Sequence, residues 1–172
     1  HQLSDEYIEH LFMFAPLHDI GKISIPDYIL LKPGKLTPEE SGIMRAHARM
    51  GREIIDDMLN SFGLEAIEHG SILRNIVEYH HEHVDGSGYP NGLRVGDILE
   101  EAQAVGICHL YSAATHVHPY RETLTPAQAM DLVEGLAGRA WDPRVVRAFA
   151  DGLAMYPLGT LVRLANGESG VV

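Results

Sequence analysis

Apolar positions along most of this chain recur with a helical period, and proline and glycine fall at the ends of the periodic segments rather than within them. This punctuation predicts a succession of connected helices. A first helix is expected from about Asp5 towards His18. It is followed by a stretch from Ile23 to Lys35 whose Pro26, Pro33 and Gly34 have loop chemistry. Thr37-Pro38-Glu39-Glu40 combines an N-cap hydroxyl, a proline at the first helical position and a capping-box glutamate, so a long helix should begin there. Its apolar stripe, Ile43, Met50, Ile54 and Met58, would carry His47 on the same inward face.

Ile72, Ile76 and His80 form a second stripe, with Val77 and His81 beside it, before the glycine-rich run Asp85-Gly86-Ser87-Gly88-Tyr89-Pro90 breaks the helix. A further helix over about Glu100 to Thr115 carries Ala102, Val105, His109 and Ser112 at spacings of three and four. Thr125-Pro126 and Asp142-Pro143 repeat the cap-plus-proline signature, opening two more helices packed through Met130, Val133, Leu136, Val146 and Phe149. Past Pro157 the pattern alternates from Thr160 to Leu164, and Asn166-Gly167 favours a tight turn, which predicts a β-hairpin and the start of a β extension. The expected fold is an all-α bundle over residues 1–155 with a short C-terminal β-hairpin over residues 156–172.

A length of 172 residues suits one compact domain. The longest uncharged apolar run, Leu11 to Leu17, is too short to span a bilayer. The single cysteine, Cys108, excludes an internal disulfide framework, and with no signal-peptide pattern the expected compartment is the cytoplasm. A net charge of −11 argues against a duplex nucleic-acid or membrane-surface binder. A small phosphorylated ligand is still compatible with it, because a metal would bring positive charge of its own.

The compositional anomaly is eleven histidines, where average usage of roughly 2% would give about four. A single buried imidazole is an ordinary core residue. Here, however, four segments present His18-Asp19, His47, His80-His81 and His109 on inward stripes or at helix ends. Burying that many imidazoles without strong partners is costly. Divalent cations are the economical partners, and one carboxylate bridging two of them would let a pair share a water-derived nucleophile. Mixed nitrogen and oxygen ligation without thiolate suits iron, manganese or zinc, and spacing does not choose among them.

His18-Asp19-Ile20-Gly21-Lys22, Ile25-Pro26-Asp27, Leu31 through Leu36, and His80-His81-Glu82 through Pro90 closely resemble the signature of the HD-GYP family. The resemblance continues through Pro119-Tyr120-Arg121 and Trp141-Asp142-Pro143, covering residue 12 to about residue 153. It implies an HD-type helical bundle around a buried centre of two or three divalent ions, most often iron or manganese. It also implies hydrolysis of cyclic di-GMP, or a related cyclic dinucleotide, to linear pGpG or GMP.

By the same resemblance His18, Asp19, His47, His80 and His81 are metal ligands, with Asp19 bridging, and Lys22 stands beside the attacked phosphate. Gly86, Gly88 and Tyr89 shape the pocket rim. Family members carry a further glutamate and histidine on a helix that would lie upstream of residue 1, so His1 and His10 are expected to be surface residues. Members also commonly follow receiver or other sensory domains.

One segment departs from the family pattern. Where the family has an aspartate ligand, a second aspartate and an Arg-Pro-Tyr ending, this chain has His109, Ser112 and His118-Pro119-Tyr120-Arg121. An imidazole at His109 can still ligate, with one negative charge fewer. Neutral His118 lacks the forked phosphate grip of arginine, which leaves Arg121 as the phosphate-binding candidate. Two functional readings follow: a cyclic-dinucleotide phosphodiesterase, or a degenerate module that senses a nucleotide or binds a protein.

Overall fold

The computed structural model describes residues 4–67, 69–116, 123–153, 161–164 and 166–172. Helix α1 (Asp5–Phe14) starts where Ser4 accepts a hydrogen bond from the Tyr7 amide, and Asp5 and Glu6 complement the positive end of its dipole. It ends earlier than the stripe suggests. Pro16 cannot donate to an α-helical ladder, and a 3-10 turn over Ala15–Leu17 takes over, followed by another over Ile20–Ser24. The expected loop after Ile23 also contains a one-turn helix, α2 (Asp27–Leu30), started by the Pro26 carbonyl, which accepts from the Ile29 and Leu30 amides.

The capping box forms as read: Glu40 N donates to Thr37 Oγ1 at 3.2 Å and Thr37 N to Glu40 Oε2 at 2.7 Å. The helix it opens is not continuous, because α3 (Pro38–Arg45) stops at Ala46 and α4 (His47–Ser61) starts immediately after. The expected stripe is also displaced. Ile43 and Met58 are each 40% exposed, and the buried face is His47, Ala48, Gly51, Ile55 and Leu59.

The cause is a backbone contact. A Cβ on Gly21 would lie 1.9 Å from the His47 carbonyl oxygen and 2.5 Å from Gly51 N. The Ile20–Ser24 turn therefore seats on the glycine of α4, and the helix rolls to offer Gly51 rather than Met50 or Ile54. His47 points inward in either register.

Helices α5 (Gly70–Tyr79) and α6 (Glu100–Thr115) fall where expected. Leu73 and Val77 pack with Ile55 and Leu59 beneath Phe14 and Leu17, while Ile72, Ile76 and Val105 join α5 to α6. Gly106 is another close approach, since a Cβ there would meet the His80 carbonyl oxygen at 2.5 Å. Helices α7 (Pro126–Glu134) and α8 (Pro143–Gly152) close the bundle around Ile107, Val133, Trp141 and Val146, with Leu136 and Phe149 packed against them.

Buried Glu101 of α6 receives the Tyr7 hydroxyl at 2.8 Å and Asn75 Nδ2 at 3.1 Å, tying α1, α5 and α6 together. Strands β1 (Leu161–Arg163) and β2 (Ser169–Val171) form the expected antiparallel hairpin, with Leu161 opposite Val171 and Arg163 opposite Ser169. The turn is wider than an Asn-Gly dipeptide alone and is closed by Leu164 N donating to Glu168 O. The 155/156 boundary lies outside the described residues. Among the described residues no helix is long and apolar enough to cross a membrane.

Candidate metal centre

Asp19 lies between the two 3-10 turns, with His18 before it and Lys22 one turn after. Three histidines around it are oriented in one way. His18 Nδ1 donates to the Ala15 carbonyl at 2.7 Å, His47 Nδ1 to that of Met44 at 2.7 Å and His80 Nδ1 to that of Ile76 at 2.9 Å. Each carbonyl belongs to the preceding turn of the chain. Committing the Nδ1 proton leaves the Nε2 lone pair free, the tautomer a metal-ligating imidazole needs.

These Nε2 atoms converge on one carboxylate. His18 Nε2 lies 3.2 Å from Asp19 Oδ2, while His47 Nε2 and His80 Nε2 lie 3.3 and 3.8 Å from Asp19 Oδ1. Lone pairs facing a carboxylate repel unless a positive charge sits between them. Asp19 Oδ1, His47 Nε2 and His80 Nε2 are buried without a hydrogen-bond partner, and each orphaned group of this kind costs about 1–3 kcal/mol. A divalent cation accepting nitrogen and oxygen donors satisfies all three at once, so the residues present fit a metal.

The donors form two groups sharing Asp19. Asp19, His47, His80 and His81 make one, and His18, Asp19 and His109 the other, with donor atoms in each within 4.8 Å of one another. His109 Nδ1 lies 3.0 Å from His18 Nε2 and 3.9 Å from Asp19 Oδ2, so the residue that departs from the family pattern still joins the cluster.

Protonation states suit ligation. Burial alone would raise the Asp19 pKa, but the contacts with His18, His47, His80 and Lys22 outweigh it and hold the carboxyl well below its usual range. Burial, reinforced by the neighbouring imidazoles His80, His47 and His109, pushes His81 down to about 2. Burial also lowers His109 to about 4, against the pull of Asp19. His18 alone of this set is raised: burial lowers its pKa, but the Asp19 and Ala15 contacts win. An ionised carboxylate among mostly neutral imidazoles is the ligand state of a divalent site.

Lys22 Nζ reaches Asp19 Oδ2 at 2.5 Å. On the other side Tyr89 stacks on His81, ring centroids 4.6 Å apart and planes 22° apart, with the Arg45 guanidinium 5.1 Å from the tyrosine ring. Burial raises the Tyr89 hydroxyl to about 12, so it stays a donor at neutral pH. Gly86 turns the chain at φ 83°, beneath the side chain of Arg94.

Beside the centre a cavity of about 660 Å³ opens between α1 and α6, bounded by Ile8, Phe12, His18, Cys108 and His109, with exposed Ser112 on its lining. His118 and Arg121 lie outside the described residues.

Sequence reasoning missed Glu82 as a site-building residue. Its carboxylate, 1% exposed, accepts from the amides of Asn91 at 2.6 Å, Gly92 at 3.1 Å and Leu93 at 2.8 Å. It anchors the loop carrying Tyr89 to the end of the helix carrying His80 and His81. The only signal was its position after the histidine pair. Arg45 and the three orienting carbonyls were missed as well, and backbone acceptors leave no mark on side-chain patterning.

A helical bundle gathering five histidines around one ionised aspartate defines an HD-type metal domain. The HD domain family signature matches residues 1–145, and the chain belongs to that family, in its HD-GYP branch.

It is 36% identical over 171 residues to a cyclic di-GMP phosphodiesterase of Pseudomonas aeruginosa, covering 99% of this chain and 39% of the relative. It is 42% identical over 153 residues to the cyclic di-GMP phosphodiesterase response regulator RpfG of Xanthomonas campestris pv. campestris, covering 88% and 38%. A 3'3'-cGAMP-specific phosphodiesterase of Vibrio cholerae shares 36% identity over 132 residues, covering 77% and 24%. The chain spans well under half the length of these relatives.

Proposed function

We propose that this domain hydrolyses a phosphodiester bond of a cyclic dinucleotide, cyclic di-GMP first among candidates, giving linear pGpG or GMP. The observation that carries this reading is the convergence of orphaned His47 Nε2, His80 Nε2 and Asp19 Oδ1 in a buried cluster. The substrate class is supported by the relatives named for cyclic di-GMP and 3'3'-cGAMP.

In this reading His18, Asp19, His47, His80, His81 and His109 would hold two divalent ions, iron or manganese before zinc, Asp19 being common to both donor groups. The bound pair supplies Lewis acidity towards a phosphoryl oxygen and makes water more acidic. Lys22 stabilises charge developing on the non-bridging oxygens. Tyr89, backed by His81, and the Gly86 turn form the rim that receives the nucleotide, and Arg121 contacts a phosphate. A receiver or other sensory domain in the full-length protein, and a cytoplasmic location, belong to the same proposal.

The test is elemental analysis of protein purified without air, then timed cyclic di-GMP hydrolysis on the same sample, with His80→Ala as control. Two metal ions per chain and product formation absent from the control are expected. Full metal occupancy with nucleotide binding and no turnover of any cyclic dinucleotide would overturn the hydrolase reading. It would favour the sensor that His109 and Ser112, in place of two family aspartates, also allow.

A further inference from the structure

We infer that Glu6, His10 and His69 form a second, separate binding site for a borderline transition-metal cation, zinc foremost. Glu6 and His10 are one turn apart on α1, and His69 immediately precedes α5. One donor atom from each lies within 4.8 Å of the others, a spacing that rotation of the exposed Glu6 side chain can close to the roughly 3.4 Å between ligands of a tetrahedral zinc ion.

His10 is prepared for the role as His18, His47 and His80 are. Its Nδ1 donates to the Glu6 carbonyl at 2.8 Å, which frees Nε2. The His69 ring lies 4.7 Å from that of His10, and neither of its nitrogens has a hydrogen-bond partner among the described residues. Two imidazoles packed this closely beside a carboxylate gain most when a cation lies between them. Tyr7 and Phe14 flank the pair, with centroids 6.1 Å from His69 and 5.6 Å from His10, and give the site an apolar surround.

His69 also holds a left-handed backbone, φ 57° and ψ 14°, as a non-glycine residue. Such a conformation costs about 1 kcal/mol or more and persists where surrounding structure fixes it. Here it turns the residue that presents its ring to α1. His10 is thus a half-buried member of a cluster that lies at the surface.

The site is distinct from the Asp19 centre. His69 and His80 bracket opposite ends of α5, a helix of ten residues, which separates them by about 15 Å. Two imidazoles and one carboxylate leave a coordination position open to water, as in zinc sites with three protein ligands. A cation held there would fasten α1, the helix that supplies Ile8 and Phe12 to the cavity beside the Asp19 centre.

The experiment is zinc binding to manganese-loaded protein, read as zinc and manganese per chain after dialysis against graded zinc. Wild type is compared with His10→Gln, Glu6→Gln and His69→Asn, the last keeping a residue that tolerates the left-handed conformation. Wild type is expected to hold one zinc more per chain than His10→Gln or His69→Asn, with Glu6→Gln needing higher zinc for the same occupancy. Circular dichroism confirms that the helices persist, and His10→Gln, on α1, gives a second reading should His69→Asn unfold. Equal zinc per chain in wild type and folded His10→Gln would overturn the assignment.

Discussion

His47 Nε2 lies 3.3 Å from Asp19 Oδ1 while the opposite ring nitrogen of His47 is committed to the Met44 carbonyl. An acceptor thus faces an acceptor in a buried place. Replacing Asp19 by Asn removes the charge shared by both donor groups and is expected to release metal by well over tenfold in affinity. Metal content after challenge with a graded chelator measures this, and retention equal to wild type would remove Asp19 from the ligand set.

Gly21→Ala places a methyl 1.9 Å from the His47 carbonyl oxygen and 2.5 Å from Gly51 N, both backbone atoms that cannot rotate away. A loss of about 3 kcal/mol or more is expected, together with weaker metal retention, because Asp19 immediately precedes the same turn. Urea unfolding of metal-free protein separates the two effects. An unchanged midpoint would show that α4 can slide.

The metal-free protein should lose stability as pH falls below the ordinary histidine range. His81 and His109 are depressed in the folded chain, to about 2 and about 4, so between those values and 6.5 the unfolded chain binds protons that the folded one refuses. Their contribution is complete above about 6.5; that of His109 declines as pH drops to about 4, and that of His81 goes on declining towards about 2. His18, raised when folded, contributes in the opposite sense and loses its contribution as pH rises through its pKa. Burial depresses His80 as well, so three of the cluster's imidazoles act in the first sense and His18 alone in the other. Chelator-treated protein melted between pH 7 and pH 4.5 should therefore show a falling midpoint; a flat profile would contradict the neutral assignment of His81 and His109.

Glu82→Gln removes the charge from the acceptor of all three loop amides and turns an NH2 donor towards at least one of them. A cost of about 1–3 kcal/mol is expected, with faster hydrogen exchange at Asn91, Gly92 and Leu93. Exchange confined to those amides marks loop release, whereas uniform acceleration would mean that the whole bundle is weakened.

Much of this architecture could be read from the sequence because its signals are local. The Thr37 and Thr125 capping boxes, the proline after Asp142 and the stripe through Ile72 and Ile76 each act within one turn, and those helices begin where expected. The inward direction of His47, His80 and His109 follows from the same periodicity. The face of α4 was not readable, because it is decided by Gly21 meeting Gly51 across 30 residues of sequence. The loop anchor at Glu82 and the pairing of His10 with His69 are likewise long-range or backbone-mediated, and a single periodic stripe carries no trace of them.

Where Gly106 meets the His80 carbonyl, two main chains touch with no side chain between them. The span from the His80-His81 pair to His109 is therefore fixed by backbone, without an intervening side chain that could change rotamer. Discrimination among cations of different radius at this centre becomes a property of helix packing. Substitutions at Ile107 or Val133, which seat α6 from its far side, should alter which ion is preferred without touching a ligand.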